Sequence, residues 1–126
     1  MKKILPAIAV ILISLSGCTA QPFIKNIQVD EMQKLINEKV TIVDVRTSQE
    51  FTGGYISGAV NIDWYDPEFE TKIKKYDHSK PIALYCRSGN RSGSAANKLK
   101  QMGFSKIYSL TGGINAWEAS GKNVTK

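Results

Sequence analysis

The chain has 126 residues, 42% of them hydrophobic and 22% charged, with a formal net charge of +6. This length is that of one domain, and the balance of apolar and charged residues excludes an intrinsically disordered chain. The lysines are scattered and do not alternate with aromatic side chains, so we expect no nucleic-acid partner.

The first residues have the layout of a signal peptide. Lys2 and Lys3 precede an apolar run over residues 4–15, and a charged region followed by an apolar one is typical of export signals. The run is about a dozen residues long, whereas a helix that spans a bilayer needs about 20. We therefore expect residues 1–17 to be a cleaved signal peptide and not a membrane-spanning helix.

The segment Leu15-Ser16-Gly17-Cys18 resembles the bacterial lipobox, in which the cysteine becomes the mature N-terminus and carries the lipid. Several acyl chains hold a protein stably, since each buried methylene contributes about 0.8 kcal/mol. We predict an exported protein anchored to a bacterial membrane through Cys18, on the periplasmic or extracytoplasmic side. Residues 18–26 would be the lipidated N-terminus and tether, and residues 27–126 the folded domain. The alternative is that Cys18 is incidental and lies near a simple cleavage site.

Helices and strands alternate along the predicted domain. Asp30 is the predicted N-cap of a helix that runs to about Asn37. The β-branched run at residues 40–45 predicts a strand. Thr47-Ser48-Gln49-Glu50 has the pattern of a capping box, which predicts a short helix that ends at Gly53-Gly54.

The rest of the chain continues this alternation. Gly103 supplies a helix stop, Gly112-Gly113 turns the chain into the last helix, and we expect Trp117 to pack onto the domain. The predicted strands are residues 59–62, 81–85 and 107–110, and the predicted helices are residues 68–75, 94–102 and 114–119. This pattern predicts a single α/β domain with a mainly parallel central sheet and helices on both faces.

Cys86 directly follows the apolar strand at residues 81–85. Ligands of such folds bind beyond the carboxyl ends of the strands, so this is a site position. Once Cys18 is acylated, Cys86 has no partner for a disulfide within the chain. We predict that Cys86 is a nucleophile. The alternative is a small buried residue that is chemically inert.

The loop after Cys86 has the composition of an anion cradle. Its small, flexible residues can turn their backbone N–H groups inward, and its two arginines add positive charge. Both effects, with the positive end of the following helix, should lower the thiol pKa below its usual value of about 8.5. The predicted substrate-binding residues are Arg87, Ser88, Gly89, Asn90 and Arg91.

His78 is the only histidine of the chain. A strand separates it from Cys86, so we expect a solvated loop residue and not a catalytic base. No second cysteine or histidine is placed to complete a coordination shell, so we expect no metal site.

Four blocks of sequence carry a family resemblance. They are Asp44-Val45-Arg46 with Glu50-Phe51; Gly54-Tyr55-Ile56-Ser57-Gly58-Ala59-Val60-Asn61-Ile62; the Cys86 loop; and Leu110-Thr111-Gly112-Gly113 with Trp117. In their order and spacing, from about Ile27 to Gly121, the sequence resembles the rhodanese-homology family.

The resemblance implies a rhodanese-like fold and a sulfurtransferase activity of the thiosulfate sulfurtransferase type. Cys86 would take a sulfane sulfur from thiosulfate or a persulfide, hold it as a persulfide, and deliver it to cyanide, a thiol or a protein acceptor. No cofactor is implied, and we expect a monomer. We expect Asp44 and Arg46 to brace the loop through hydrogen bonds or an ion pair with Glu50; ordinary surface pairing is the alternative.

Two other functions remain open. A phosphatase or arsenate reductase of the related fold also uses a cysteine and an arginine around an anion-binding loop. Four residues lie between Cys86 and Arg91, one fewer than in those phosphatases, and the shorter loop favours a single sulfur atom over a tetrahedral phosphate. The second alternative is a non-catalytic module that carries sulfur or binds a partner.

Overall fold

The structure is a computed structural model that describes Lys3 and residues 21–126. The predicted signal peptide and Cys18 lie outside the described residues. The strands are β1 (Phe23–Ile27), β2 (Thr41–Asp44), β3 (Val60–Asn61), β4 (Ile82–Tyr85) and β5 (Lys106–Leu110). The helices are α1 (Val29–Asn37), α2 (Ser48–Thr52), α3 (Phe69–Ile73), α4 (Asn90–Gln101) and α5 (Gly113–Ala119).

The five strands form one sheet in the order β1-β5-β4-β2-β3, and all neighbours are parallel. β4 is central, and its four residues are fully buried, as expected for a parallel strand covered on both faces. Asp44 of β2 pairs with Tyr85 of β4. The carboxyl ends of these two strands therefore lie side by side, next to Cys86.

Helices cover both faces of the sheet. α3 and α4 pack on one face through Phe69, Ile73 and Leu99, around Leu84 of β4. The opposite face is covered by α1, α2 and α5, which bury Met32, Ile114 and Trp117 and pack the partly buried Phe51 against them. The predicted α/β class, the parallel sheet and its two helical layers are confirmed.

Regular structure begins before the predicted tether boundary at residue 26. Phe23 to Ile27 form an edge strand that pairs with β5, so the folded domain begins four residues earlier than expected. Only Ile27 of this strand is fully buried. The segment has no clear apolar pattern that would predict a strand. It forms one because it pairs with β5, which is distant in sequence.

Two helix starts also differ from the predictions. α4 begins at Asn90, not at residue 94, because Gly89 adopts φ +112° as its N-cap. In α1 the N-cap is Gln28, and Asp30 lies in the first turn, where a carboxylate is favourable beside the positive end of the helix.

Within residues 21–126, none of the helices is both long and apolar enough to cross a bilayer.

Candidate active site

Cys86 lies immediately beyond the carboxyl end of β4, and the chain then turns around its sulfur into α4. The N–H of Gly89 donates a hydrogen bond to Cys86 Sγ at 3.0 Å, and Ser92 Oγ lies 3.6 Å from the same atom. Cys86 is only 1% exposed. The sulfur therefore lies at the floor of the cradle, deeper than the sequence analysis placed it.

The pKa of the Cys86 thiol results from opposing influences. Burial, the largest, raises the pKa, while hydrogen bonds from Ser92 and from the N–H groups of Gly89 and Ser88 lower it. The hydrogen bonds together prevail, so the pKa lies below its ordinary value. The direction agrees with the sequence analysis, but the leading influences on this pKa are burial and local hydrogen bonds and not the arginines.

Ser92 and Ser109 form a buried hydroxyl pair beneath the sulfur. Ser109 Oγ donates to Ser92 Oγ at 3.0 Å, and Ser92 Oγ lies 3.2 Å from the carbonyl oxygen of Gly89. Both serines are at most 3% exposed. Neither serine was predicted from the sequence; the weak signal of a buried polar contact was Ser109, which stands between Tyr108 and Leu110.

The N-terminus of α5 holds the start of the Cys86 loop. Ile114 N–H donates to the Cys86 carbonyl at 2.9 Å, and Asn115 N–H donates to the Arg87 carbonyl at 3.1 Å. Gly113 allows this close approach: a Cβ there would lie 2.4 Å from the Cys86 carbonyl oxygen. From the sequence the glycine pair is predicted only as a turn, because its contact with the loop depends on the fold.

Arg91 is held by an ion pair and does not point freely into the cradle. Its two terminal nitrogens donate to the two carboxylate oxygens of Glu50 at 2.7 and 2.9 Å. The Arg91 hydrogen bond is the main reason that the pKa of Glu50 falls to about 2. The Glu50 carboxylate also raises the pKa of Arg91. Glu50 thus links α2 to the loop, and Thr47 caps α2 by accepting from the Glu50 N–H.

Asp44 and Arg46 pair with each other, and Glu50 pairs with Arg91 and not with Arg46. Arg46 donates to both carboxylate oxygens of Asp44 and, at 2.7 Å, to the carbonyl of Gly54. The pair is buried, and the Arg46 guanidinium lies 5.8 Å from the centre of the Tyr85 ring. It ties the end of β2 to the segment after α2, and Arg46 also borders the groove beside Arg87.

The remaining loop side chains face solvent. Arg87, Ser88 and Asn90 are exposed, and within residues 21–126 no carboxylate forms an ion pair with Arg87. Arg87 borders a shallow groove that also includes Asn115 and Glu118. Arg87 is therefore the loop arginine that can meet an incoming anion.

His78 lies at the other end of the sheet. Its carbonyl accepts from Ser105 N–H, just before β5 begins, and its ring stacks on Phe104 at 4.1 Å. It cannot serve Cys86 as a base. In the part of the chain that the structure describes, no group of three or more potential metal ligands comes together.

Comparison with known proteins identifies the family. The sequence model of the rhodanese-like domain matches residues 28–120. This chain belongs to the rhodanese-like domain family. The fold agrees with that of a rhodanese-related protein of Thermoplasma volcanium, at a TM-score of 0.71 and 32% identity, over 80% of this chain and 97% of the other.

Curated relatives of this rhodanese-like domain include enzymes. It is 36% identical to a thiosulfate sulfurtransferase, GlpE, of Pseudomonas savastanoi pv. phaseolicola over 76% of this chain and 89% of the relative. It is 42% identical to the protein YqhL of Bacillus subtilis over 63% of this chain, and the match spans 61% of the length of YqhL.

Proposed function

We propose that this protein is a sulfurtransferase that moves a sulfane sulfur from thiosulfate or a persulfide to a thiophilic acceptor through a Cys86 persulfide. The observation that carries the proposal is the cradle at Cys86, where Gly89 N–H lies 3.0 Å from Sγ and the pKa of the thiol is lowered. The similarity to the GlpE thiosulfate sulfurtransferase supports the same reaction class.

In the loading step the Cys86 thiolate attacks the outer sulfur of thiosulfate. A new S–S bond forms as the S–S bond of the donor breaks, and sulfite leaves with the electron pair. The enzyme then carries one extra sulfur as Cys–S–S⁻. Arg87 attracts and orients the anionic donor, because it is exposed and has no carboxylate partner among the described residues.

In the unloading step the acceptor attacks the outer sulfur of the persulfide. With cyanide, thiocyanate leaves and the Cys86 thiolate is restored, so the two displacements balance without an external oxidant or reductant. Gly89 N–H donates to the sulfur. The Ser92 hydroxyl accepts from the Cys86 thiol and lowers its pKa, so both groups would stabilise the thiolate before loading and as the leaving group.

A phosphatase reaction is a poorer fit to this site. Phosphate transfer needs a guanidinium directed at the equatorial phosphate oxygens. The arginine at the end of this loop, Arg91, already donates both terminal nitrogens to Glu50.

The decisive experiment measures thiocyanate release from thiosulfate and cyanide by the wild-type protein and by Cys86→Ala. We expect turnover in the wild type and none in the variant. Exposed Ser94 offers a matched control, since Ser94→Ala lies on the same helix away from the sulfur. Hydrolysis of aryl phosphates without sulfur transfer would reverse the assignment.

A second candidate function is a sulfur carrier that turns over negligibly with small donors. The 1% exposure of Cys86 favours this alternative, because a sulfur at the floor of the cradle meets bulk reagents less readily. Intact-mass measurement after exposure to thiosulfate separates the two. A stable gain of one sulfur without thiocyanate release on addition of cyanide favours the carrier.

We also propose that the protein is exported and anchored through a lipid on Cys18. The supporting observation is the sequence Leu15-Ser16-Gly17-Cys18 after a short apolar run. Metabolic labelling with a fatty acid tests this proposal. We expect label in the wild-type protein and none in Cys18→Ala; equal labelling of both would exclude this anchor.

A further inference from the structure

Lysines are concentrated at the end of the sheet opposite Cys86. They lie on the loops and helix ends that precede β2, β4 and β5 or at the first residue of β5, and all are exposed. We call this surface the basic end; its lysines are Lys39, Lys74, Lys75, Lys80, Lys100 and Lys106. The carboxylates of the same segments are those of Glu38 and Asp77, so positive charge predominates.

Contacts between the segments make the basic end one continuous surface. Phe23 N–H donates to the Ser105 carbonyl at 3.1 Å, and Ser105 N–H donates to the His78 carbonyl at 3.0 Å. Lys39 and Lys80 border one groove. The loops before β2, β4 and β5 therefore meet the start of β1.

The lysines of the basic end are not neutralised by ion pairs. Among residues 21–126, the lysines within 4.0 Å of a carboxylate are Lys25, Lys72 and Lys98, and none of these belongs to the basic end. The free charges are therefore available to an anionic partner.

The chain enters the domain at this same end. β1 begins at Phe23, which pairs with Lys106, and Cys18 lies five positions earlier in the sequence. Five extended residues reach at most about 18 Å. A lipid on Cys18 would hold the basic end within that distance of the headgroups, whereas Cys86 lies beyond the opposite ends of the strands.

From the charge and the tether position together, we infer that the basic end docks on the anionic headgroups of the membrane that anchors the chain. This inference rests on the proposed lipid anchor. Screening limits such attraction to about 8 Å at physiological salt, and the short tether supplies that proximity. Docking turns the Cys86 loop away from the bilayer, so the sulfur donor and acceptor arrive from the aqueous side.

The test uses residues 19–126, which contain the whole domain from β1 to α5, with phosphatidylcholine vesicles that contain or lack phosphatidylglycerol. At low salt, co-sedimentation gives the partition constant. Each lysine near an anionic surface contributes a factor of about five. We therefore expect Lys80→Gln with Lys106→Gln to lower binding to the anionic vesicles by about 25-fold.

The matched control is Lys122→Gln with Lys126→Gln, which removes the same charge from the C-terminal segment, outside the basic end; Lys122 contacts Gln33 and the Trp117 ring. We expect it to bind within about twofold of the wild-type fragment. Equal losses in both double variants, or no preference of the wild type for phosphatidylglycerol at low salt, would overturn the inference. Thiocyanate release by each variant is measured separately, so failure of docking and failure of the sulfurtransferase proposal are distinguishable.

Discussion

At Cys86, burial and hydrogen bonding act on the thiol in opposite directions. Burial alone would raise the pKa and leave the sulfur inert, but donors from Gly89, Ser88 and Ser92 reverse the balance. The sequence indicated the residue and the composition of its loop, because glycine and serine after a buried strand are local signals. It did not indicate Ser109, which reaches Ser92 only through the pairing of β5 with β4.

Loss of the Ser92 hydroxyl should raise the pKa of the thiol. The hydroxyl is one of the groups whose hydrogen bond lowers this pKa, and a hydrogen bond to a charged group is worth about 1.5–3 kcal/mol. Ser92→Ala should therefore move the titration of the thiol to higher pH. The measurement is the rate of iodoacetamide alkylation against pH. Ser109→Ala should shift the profile less, because it acts through Ser92.

The matched control for Ser92→Ala is Ser94→Ala, since Ser94 is exposed on the same helix. Its profile should coincide with that of the wild type. An unshifted profile in Ser92→Ala would show that the hydroxyl does not stabilise the thiolate.

Between elements, the Glu50–Arg91 pair connects α2 with the first turn of α4. Local signals predicted α2 correctly, because its Thr47 cap lies beside it in sequence. The start of α4 was not predictable in the same way. It depends on the left-handed backbone conformation of Gly89 and on the burial of Ser92 in α4, and neither can be predicted from helix propensity.

Glu50→Gln should lower the free energy of unfolding at pH 7 by about 1–2 kcal/mol, as expected for a bidentate, partly buried pair. The folded-state pKa of Glu50 is about 2, below the ordinary 4.5. Its stabilising contribution is therefore complete above pH 4.5 and is lost as the pH falls toward 2. Urea unfolding at several pH values should show wild type and variant converging in acid.

Glu70→Gln is the control for this pair, because Glu70 binds Lys98 with both side chains more exposed than those of Glu50 and Arg91. Its effect at pH 7 should be smaller than about 0.5 kcal/mol. A constant difference between wild type and Glu50→Gln at all pH values would contradict the assigned pair.

The contact of α5 with the Cys86 loop predicts that Gly113→Ala is disruptive. The added Cβ would meet the Cys86 carbonyl at 2.4 Å, and φ is +57°. We expect the free energy of unfolding to fall by more than about 2 kcal/mol and sulfur transfer to be lost.

The control is Gly93→Ala in α4, where nothing lies within 4 Å of an added Cβ. Helix propensity should make that change neutral or stabilising by up to about 1 kcal/mol. Unfolding and thiocyanate assays that show equal effects of both substitutions would contradict this contact.

At the scale of the whole molecule, the parallel sheet places the start of β1 and the Cys86 loop at opposite ends. The amino ends of the parallel strands lie at the edge of the sheet where Phe23 starts β1, and their carboxyl ends lie at the opposite edge, where Cys86 follows β4. The α/β class was predictable because alternating helices and strands admit few other arrangements. The edge strand β1 was not, since its only complete burial is at Ile27 and its partner is remote in sequence.

This separation predicts that anchoring leaves small-molecule turnover unchanged. The lipidated protein in vesicles and the fragment of residues 19–126 should have kcat/KM values for thiosulfate within about twofold at high salt, where attraction between the anion and the membrane is screened. Thiocyanate release measures both. A much slower anchored form would mean that the Cys86 loop lies against the bilayer.

The near-complete burial of Cys86 would make the free thiol and the proposed persulfide differ in how accessible their reactive sulfur is. Without cargo, the thiol is shielded from bulky oxidants and from disulfide exchange with other proteins. In the proposed persulfide, the added sulfur would lie one bond farther from the backbone than Cys86 Sγ. The proposed cycle would then present the reactive atom to an acceptor in the loaded form, and discharge would leave the thiol enclosed again.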